Sequence, residues 1–337
     1  MLNQTRRFLI VAMAGALAGP VLFGPSPART DSRPLLRLVI PIPLPDVRGR
    51  LDHLSLDVQN QRLFLAALRN DSVEVLDLAR SLQARSLPRL SNPQGVLYLP
   101  GPNRLHVANA RDGSVRIYDG ASLAVLQSVP YGKDADNLRY DRATGHVWVG
   151  YGHALGELTA DGARLADIRL PEHPESFQLE HEGPRIFVNL PEAGMVAVVD
   201  RKSRSIVSTW PTGFHGNFAM TLDEGRHRLL VATRRPARLV ILDTENGRTI
   251  ASVPTVGDCD DLFVDERRGR VYVVGGEGAV EVVAGDGPDR YREIGRVRTS
   301  QGARTGLFSP ELDRLYIAAP AYGPRPAEVL VFSVHSE

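Results

Sequence analysis

The stretch Arg62-Leu-Phe-Leu-Ala-Ala-Leu68 decides the fold, because it returns six more times. Its copies are Arg104-Leu-His-Val-Ala-Asn-Ala110, His146-Val-Trp-Val-Gly-Tyr-Gly152, Arg185-Ile-Phe-Val-Asn-Leu-Pro191, Arg228-Leu-Leu-Val-Ala-Thr-Arg234, Arg270-Val-Tyr-Val-Val-Gly-Gly276 and Arg314-Leu-Tyr-Ile-Ala-Ala-Pro320. Their first residues are spaced by 42, 42, 39, 43, 42 and 44 positions. Each copy opens on a basic residue and is rich in β-branched and aromatic residues, the composition of a strand. Self-similarity at this period marks a repeat architecture.

Outward from each copy the same neighbours recur. A second apolar run follows after a short polar turn, as in Val73–Asp77, Val115–Asp119, Val196–Asp200 and Leu239–Asp243. Only the third unit is degenerate there, reading Gly156-Glu-Leu-Thr-Ala-Asp161. Another strand precedes each copy: Leu54–Asp57, Val96–Leu99, Leu138–Asp141, Phe177–Glu180, Met220–Asp223, Leu262–Asp265 and Gly306–Ser309. A fourth closes the unit, as in Ala124–Val129 or Ile206–Trp210. Four antiparallel strands repeated every 42 or so residues define an all-β, seven-bladed β-propeller, one domain over 35–337. The last blade ends after its third strand, at Val329–Val334, while Leu35–Ile42 is a strand without a blade. That N-terminal strand is expected to complete blade seven and remove the open edge. The basic residues opening the repeated stretch are read as solvated blade edges.

The segment Val107-Ala-Asn-Ala-Arg-Asp-Gly-Ser-Val-Arg-Ile-Tyr-Asp119 resembles the YVTN-type repeats of exported bacterial seven-bladed β-propellers. Val73-Glu-Val-Leu-Asp-Leu78 and Leu239-Val-Ile-Leu-Asp-Thr244 match that family's third strand. The resemblance covers all seven blades and implies the fold. It says little of activity, since the family ranges from surface and periplasmic binders to cofactor-linked enzymes. The Trp-Asp pair of cytosolic scaffold propellers is missing, as is a Trp-rich signature of quinone-cofactor propellers; Trp148 and Trp210 are the only tryptophans.

Composition narrows the partners. Lys and Arg number 40 and Asp and Glu 39, a net charge of +1, which excludes a bulk basic nucleic-acid binder. With 43% hydrophobic and 23% charged residues the balance is globular. The lone cysteine, Cys259, excludes a disulfide within the chain, haem attachment through a Cys-x-x-Cys-His motif and an iron–sulfur cluster. It lies between acids, in Asp258-Cys-Asp-Asp261, which raise a thiol pKa and argue against a nucleophile. No Gly-x-Ser-x-Gly, P-loop or His-Glu-x-x-His motif occurs.

The first 28 residues read as an export signal. Arg6-Arg7 precede an apolar run from Phe8 to Ala18, and small residues follow at Ala16-Leu17-Ala18 and Ser26-Pro27-Ala28. Arg6-Arg7-Phe8-Leu9-Ile10 also resembles the twin-arginine motif. Prolines at 20, 25 and 27 break the run short of a membrane span. Removal leaves 38 basic against 39 acidic residues, a net charge of −1. The expectation is a mature periplasmic or secreted monomer with no membrane attachment.

Strand one of a propeller blade lines the central channel, so the residues entering it share one mouth. Aligned on the repeats, the first entry layer reads Asp52, Gln94, Asp136, Glu175, Phe218, Asp260 and Arg304. The next reads His53, Gly95, Asn137, Ser176, Ala219, Asp261 and Thr305. Loops of the same face add Arg69, Asn70, Arg111, His153, His173, Asn189, His215, Arg234, Arg235 and Glu277. Carboxylates crowded round one channel repel, so at least one should hold a proton or a cation. His53, Asp136, Glu175, Asp260 and Asp261 are the candidate ligands of a divalent metal, calcium, zinc or manganese. Asp52, His53 and Glu175 are the catalytic candidates, His53 as an oriented base. Gln94, Asn137 and Arg304 are ligand-binding candidates, with Arg304 suited to a carboxylate or phosphate. Against this stands turn-capping, the common duty of Asp at strand entries, and the expected one of Asp77, Asp119, Asp200 and Asp243.

Three function classes fit these residues. One is an exported binder of a metal ion or small anionic ligand at the acidic mouth. Another is a metal-assisted hydrolase or lyase of the lactonase kind at the same place. The third is a protein-interaction scaffold, which would show aromatics on a rim; aromatics are 6% here.

Overall fold

The structure is a computed structural model that describes residues 34–285, 287 and 289–335. The expected export signal lies outside the described residues. Among them, no helix is long and apolar enough to cross a membrane.

Seven four-stranded antiparallel sheets follow one another along the chain. Blade one is Leu54–Asp57, Arg62–Ala67, Ser72–Asp77 and Leu82–Leu87, innermost to outermost. The inner strands of blades two to seven are Pro93–Leu99, Ala135–Asp141, Phe177–Leu179, His215–Asp223, Cys259–Asp265 and Thr305–Ser309. The repeated stretch is strand two throughout, from Arg62–Ala67 to Arg314–Ala319. It is the most buried strand because blades cover both of its faces: Leu63, Phe64, Leu65, Ala66 and Ala67 are all fully buried. The core is accordingly a set of clusters between neighbouring blades.

The N-terminal strand Leu36–Leu44 pairs antiparallel with Ala327–Val334 and forms the outer strand of blade seven. Leu36 faces Val334 and Leu44 faces Ala327. Leu36, Ile42 and Leu44 are buried there. The third unit is regular where its sequence read as degenerate: Ala154–Thr159 pairs on both sides. Gly156 is required because a Cβ would run into the Tyr131 ring.

The basic residues that open strand two are not solvated edges. Arg62 pairs with Asp57 at 2.6 Å and donates to Gly120 O of the next blade at 2.7 Å. Arg104 reaches Asp161 at 3.2 Å, Arg185 reaches Thr244 O, Arg228 reaches Asp289 at 3.1 Å and Arg270 reaches His335 O at 2.6 Å. Each is a guanidinium clamp from one blade to the next, and Arg270 is 5% exposed. Blade three differs. Its His146 turns to Glu157 of its own blade at 2.8 Å, and Arg201 of blade four reaches back to Asp141 at 2.6 Å. The expected turn anchors do cap turns: Asp77, Asp119, Asp200 and Asp243 accept backbone N–H groups of Arg80, Ser122, Ser203 and Glu245.

Candidate functional site

The entry layer is built by bulges. In blades two, three, five and six the register of strand one against strand two shifts between Pro93 and Val96, Ala135 and Leu138, Asn217 and Ala219, and Cys259 and Asp261. Gln94, Asp136, Phe218 and Asp260 fall within those shifts. A bulge re-aims the extra side chain, so these residues leave the pleat at the channel rim. In blades one and four the same layer precedes the strand. There Asp52 N–H donates to Ala66 O at 2.8 Å and Glu175 N–H to Asn189 O at 3.2 Å. Gly95 of the next layer lies so close to Asp136 that a Cβ would strike its carbonyl oxygen.

Asp52, Asp136 and Asp260 do not cap turns. They converge on a guanidinium that the sequence reading missed, that of Arg50. Arg50 lies 3.1 Å from Asp52 and 3.4 Å from Asp260, and Asp136 and Glu175 are near enough to act on its charge. Arg234 pairs with Asp260 and stacks on Phe218, 3.8 Å from the ring centre, which explains an aromatic in a charged layer. Arg304, expected to face a ligand, is held by Asp258 at 2.8 Å. His173 lies 3.7 Å from both Asp134 and Asp136. Gln94 is part-buried in its bulge. Asn189 is fully buried and stitches blades four and five through Asn217, so it does not face a ligand.

These contacts set the protons. Burial pushes Asp52 up to about 6 against the pull of Arg50 and His53. Burial, then the charge of Asp136, pushes Glu175 up to about 8, and no ion pair of Glu175 occurs among the described residues. Burial also raises Asp260, although Arg234 and Arg50 oppose it. Burial works against the charge on His53, yet Asp261 at 3.3 Å and then Asp52 hold it up to about 10. His173 is likewise held up to about 9, by Asp136 first, against burial. Near neutrality both imidazoles are therefore cationic and Glu175 is a neutral acid. Burial raises the Cys259 thiol far above its usual value, and the side chain is fully buried.

Among the described residues no group of three or more His, Cys, Asp and Glu side chains is arranged to hold a metal ion. Of the five candidate ligands, Asp260 is held by Arg50 and Arg234, His53 and Asp261 face each other, and Asp136 faces His173.

Behind this layer the channel widens into a cavity of about 270 Å³. His53, Asn137, Arg139, Gln178 and Asp261 supply its polar groups; Leu54, Val96, Leu138 and Leu262 its apolar ones. Asp261 ties three blades together here, accepting the N–H of Gly306 at 3.0 Å and facing His53 of blade one. Arg139, also missed in the sequence, spends its donors on neutral acceptors: Leu138 O at 2.9 Å, Asn137 Oδ1 at 3.2 Å and Ser176 Oγ at 3.4 Å. No carboxylate among the described residues lies within ion-pair distance of it; burial disfavours its charge, opposed at longer range by Asp261 and Asp136. A lone Arg inside an apolar inner strand was the signal available.

Seven four-stranded blades around a polar channel define the class: this chain is a seven-bladed β-propeller. No family model matches it, and no curated protein matches it in sequence. Solved structures match its fold. A chain of the mitotic checkpoint complex has a TM-score of 0.76 at 13% identity, over 97% of this chain and 99% of that one. The WD40 repeats of RRP9 give 0.75 at 12%, over 89% and 97%. A chain of the hydrazine synthase of Kuenenia stuttgartiensis gives 0.73 at 16%, over 86% and 97%. At these identities the likeness is one of fold alone.

Proposed function

We propose that this protein is an exported β-propeller that binds a small organic anion in its central channel, with the carboxylate or phosphate of the ligand seated on Arg139 and His53. The observation that carries this reading is Arg139, a guanidinium lining a cavity of about 270 Å³ with no carboxylate within ion-pair distance among the described residues, where Asp261 and Asp136 support its charge only at longer range. A guanidinium away from bulk water that no carboxylate meets directly is costly to bury, and an incoming anion relieves that cost. Cationic His53 adds a second charge, and Asn137 and Gln178 add amide donors. The apolar walls accept a short carbon skeleton; the volume of about 270 Å³ admits about nine non-hydrogen atoms, taking about 30 Å³ per water-sized unit. Arg50, Arg234 and Arg304, each tied to carboxylates, form the entrance. Binding is favoured over hydrolysis because Asp261 at 3.3 Å and Asp52 favour the protonated form of His53, a poor base.

The test is a calorimetric titration of the protein with succinate, inorganic phosphate and, as a cationic control, putrescine. Succinate or phosphate should bind, more weakly as salt rises. Arg139→Gln should lower the affinity at least tenfold, about 1.4 kcal/mol. Equal binding by Arg139→Gln, or binding of putrescine alone, overturns the reading.

A further inference from the structure

On the opposite face, the seam between blades three and four carries a second cavity, of about 330 Å³. It lies at a seam that no forward clamp crosses; the seam from blade seven to blade one is the same in this respect, since Arg314 donates to Leu312 O and Asp313 O of its own blade. Blades one, two, four, five and six send a guanidinium forward to their neighbour; blade three has the shorter His146, which turns inward to Glu157. Arg201 reaches back instead, and its bonds to Asp141, Pro184 O, Glu180 O and Gly183 O occupy most of its donors. The space left beside it is floored by Trp148 and walled by Pro184 and Ala143.

The unmet needs of this cavity's buried part are those of a donor. Its buried carboxylates are satisfied: Asp141 by Arg201, and Glu157 by His146 at 2.8 Å and Arg204 at 3.5 Å. Its donors are not. The indole N–H of Trp148 is buried without an acceptor among the described residues. Lys202 stands exposed at the edge with no ion pair among the described residues, and Arg204 touches Glu157 only at ion-pair range, its side chain 53% exposed. Glu182 is the one carboxylate on the rim without such a partner, and it lies in solvent. A buried donor without an acceptor and two cations beside an apolar floor are complementary to a flat or cyclic apolar body bearing one carboxylate.

We infer that the seam between blades three and four is a second binding site, distinct from the central channel, for a small hydrophobic carboxylate. The carboxylate lies towards Lys202 and Arg204 and the carbon skeleton lies over Trp148 and Pro184. The site is independent of the channel, because none of these side chains lines the channel cavity.

Trp148 and Trp210 are the only tryptophans, so Trp210→Phe leaves Trp148 as the sole indole reporter. The experiment titrates that variant with cyclohexanecarboxylate, which does not fluoresce, and with cyclohexylamine as the cationic counterpart. The carboxylate should change the Trp148 emission saturably and the amine should not. Adding Lys202→Gln and Arg204→Gln should weaken the response at least fivefold, while adding Arg139→Gln should leave it within twofold. No saturable response, equal response to the amine, or indifference to loss of Lys202 and Arg204 would each overturn the inference. Loss of the response with Arg139→Gln would assign it to the channel and overturn it too. Because Arg139→Gln removes only the channel charge, the two sites succeed or fail separately.

Discussion

Glu175 shows how much one side chain can cost where blades converge. It sits at the channel mouth among Asp136, Asp260 and the guanidinium of Arg234, and it keeps its proton up to about 8. A carboxyl whose folded pKa is raised stabilises the fold fully below its usual pKa of about 4.3, and that contribution is lost as pH rises through about 8. His53 has the same sign by another route: its charge stabilises fully below its usual value of about 6.5, and this is lost as pH rises through about 10. Stability should therefore fall steadily on the alkaline side. Glu175→Gln should match the parent at pH 4 and be more stable at pH 9 by on the order of 1–2 kcal/mol. Melting curves across that range check it, and parallel curves for the two proteins would refute it. Arg50 and Arg139 make the residue scale the least legible in sequence. The register of the repeats places Asp52, Asp136 and Asp260 in one layer, but it says nothing of which guanidinium will lie among them. Arg50 enters from the segment between the N-terminal strand and blade one, outside the repeat, and Arg139 reads as one more outward polar residue in a strand.

At the scale of the element, strands two and three could be read almost to the residue, because both of their faces are buried and their apolar runs are unbroken. Strand one could not. Ala135–Asp141, His215–Asp223 and Cys259–Asp265 each begin three to five residues before the apolar run that marks them. The early part is polar and carries the bulge, and a bulge breaks the alternation by which a strand is recognised. The missing turns were therefore the site itself. The N-terminal strand was legible because an edge needs a partner. It brings Leu36, Ile42 and Leu44 into the core, each worth about 1.5–3 kcal/mol. Deleting residues 29–45 should lower the melting temperature of the whole ring and expose the edge of Ala327–Val334, with aggregation as the second readout. An unchanged melting curve would show that the strand is an ornament.

For the molecule as a whole, forward clamps at five seams and the reverse contact of Arg201 should couple the blades into one cooperative unit despite their repeated sequence. Replacing Arg62 or Arg185 by Met keeps the aliphatic stem but removes a charge held by a buried carboxylate, Asp57 or Glu180. That should cost about 3–5 kcal/mol, because the partner charge is left buried and unpaired. Chemical denaturation monitored by Trp148 and Trp210 should move as a single transition; two separate transitions would mean that the seams are independent. Export belongs to this scale as well. The Arg6-Arg7 region and the apolar run to Ala18 predict a mature chain that starts between residues 19 and 29. Intact mass spectrometry of protein from the periplasm of a bacterial host checks this, and a retained Met1 would refute it.

Leu36 and Val334 lie 298 positions apart and share one sheet. A chain made from its N-terminus must keep that first strand unpaired until Ala327–Val334 has been added. Blades one to six can form in order as the polypeptide emerges, each against the one before, but the circle stays open until its final strand appears. The newborn protein thus spends most of its synthesis as an incomplete arc with two exposed ends, and pairs so distant in sequence make the last step slow. A rearranged gene that joins the present ends and begins between two other blades would keep every contact of the ring while moving the moment of closure.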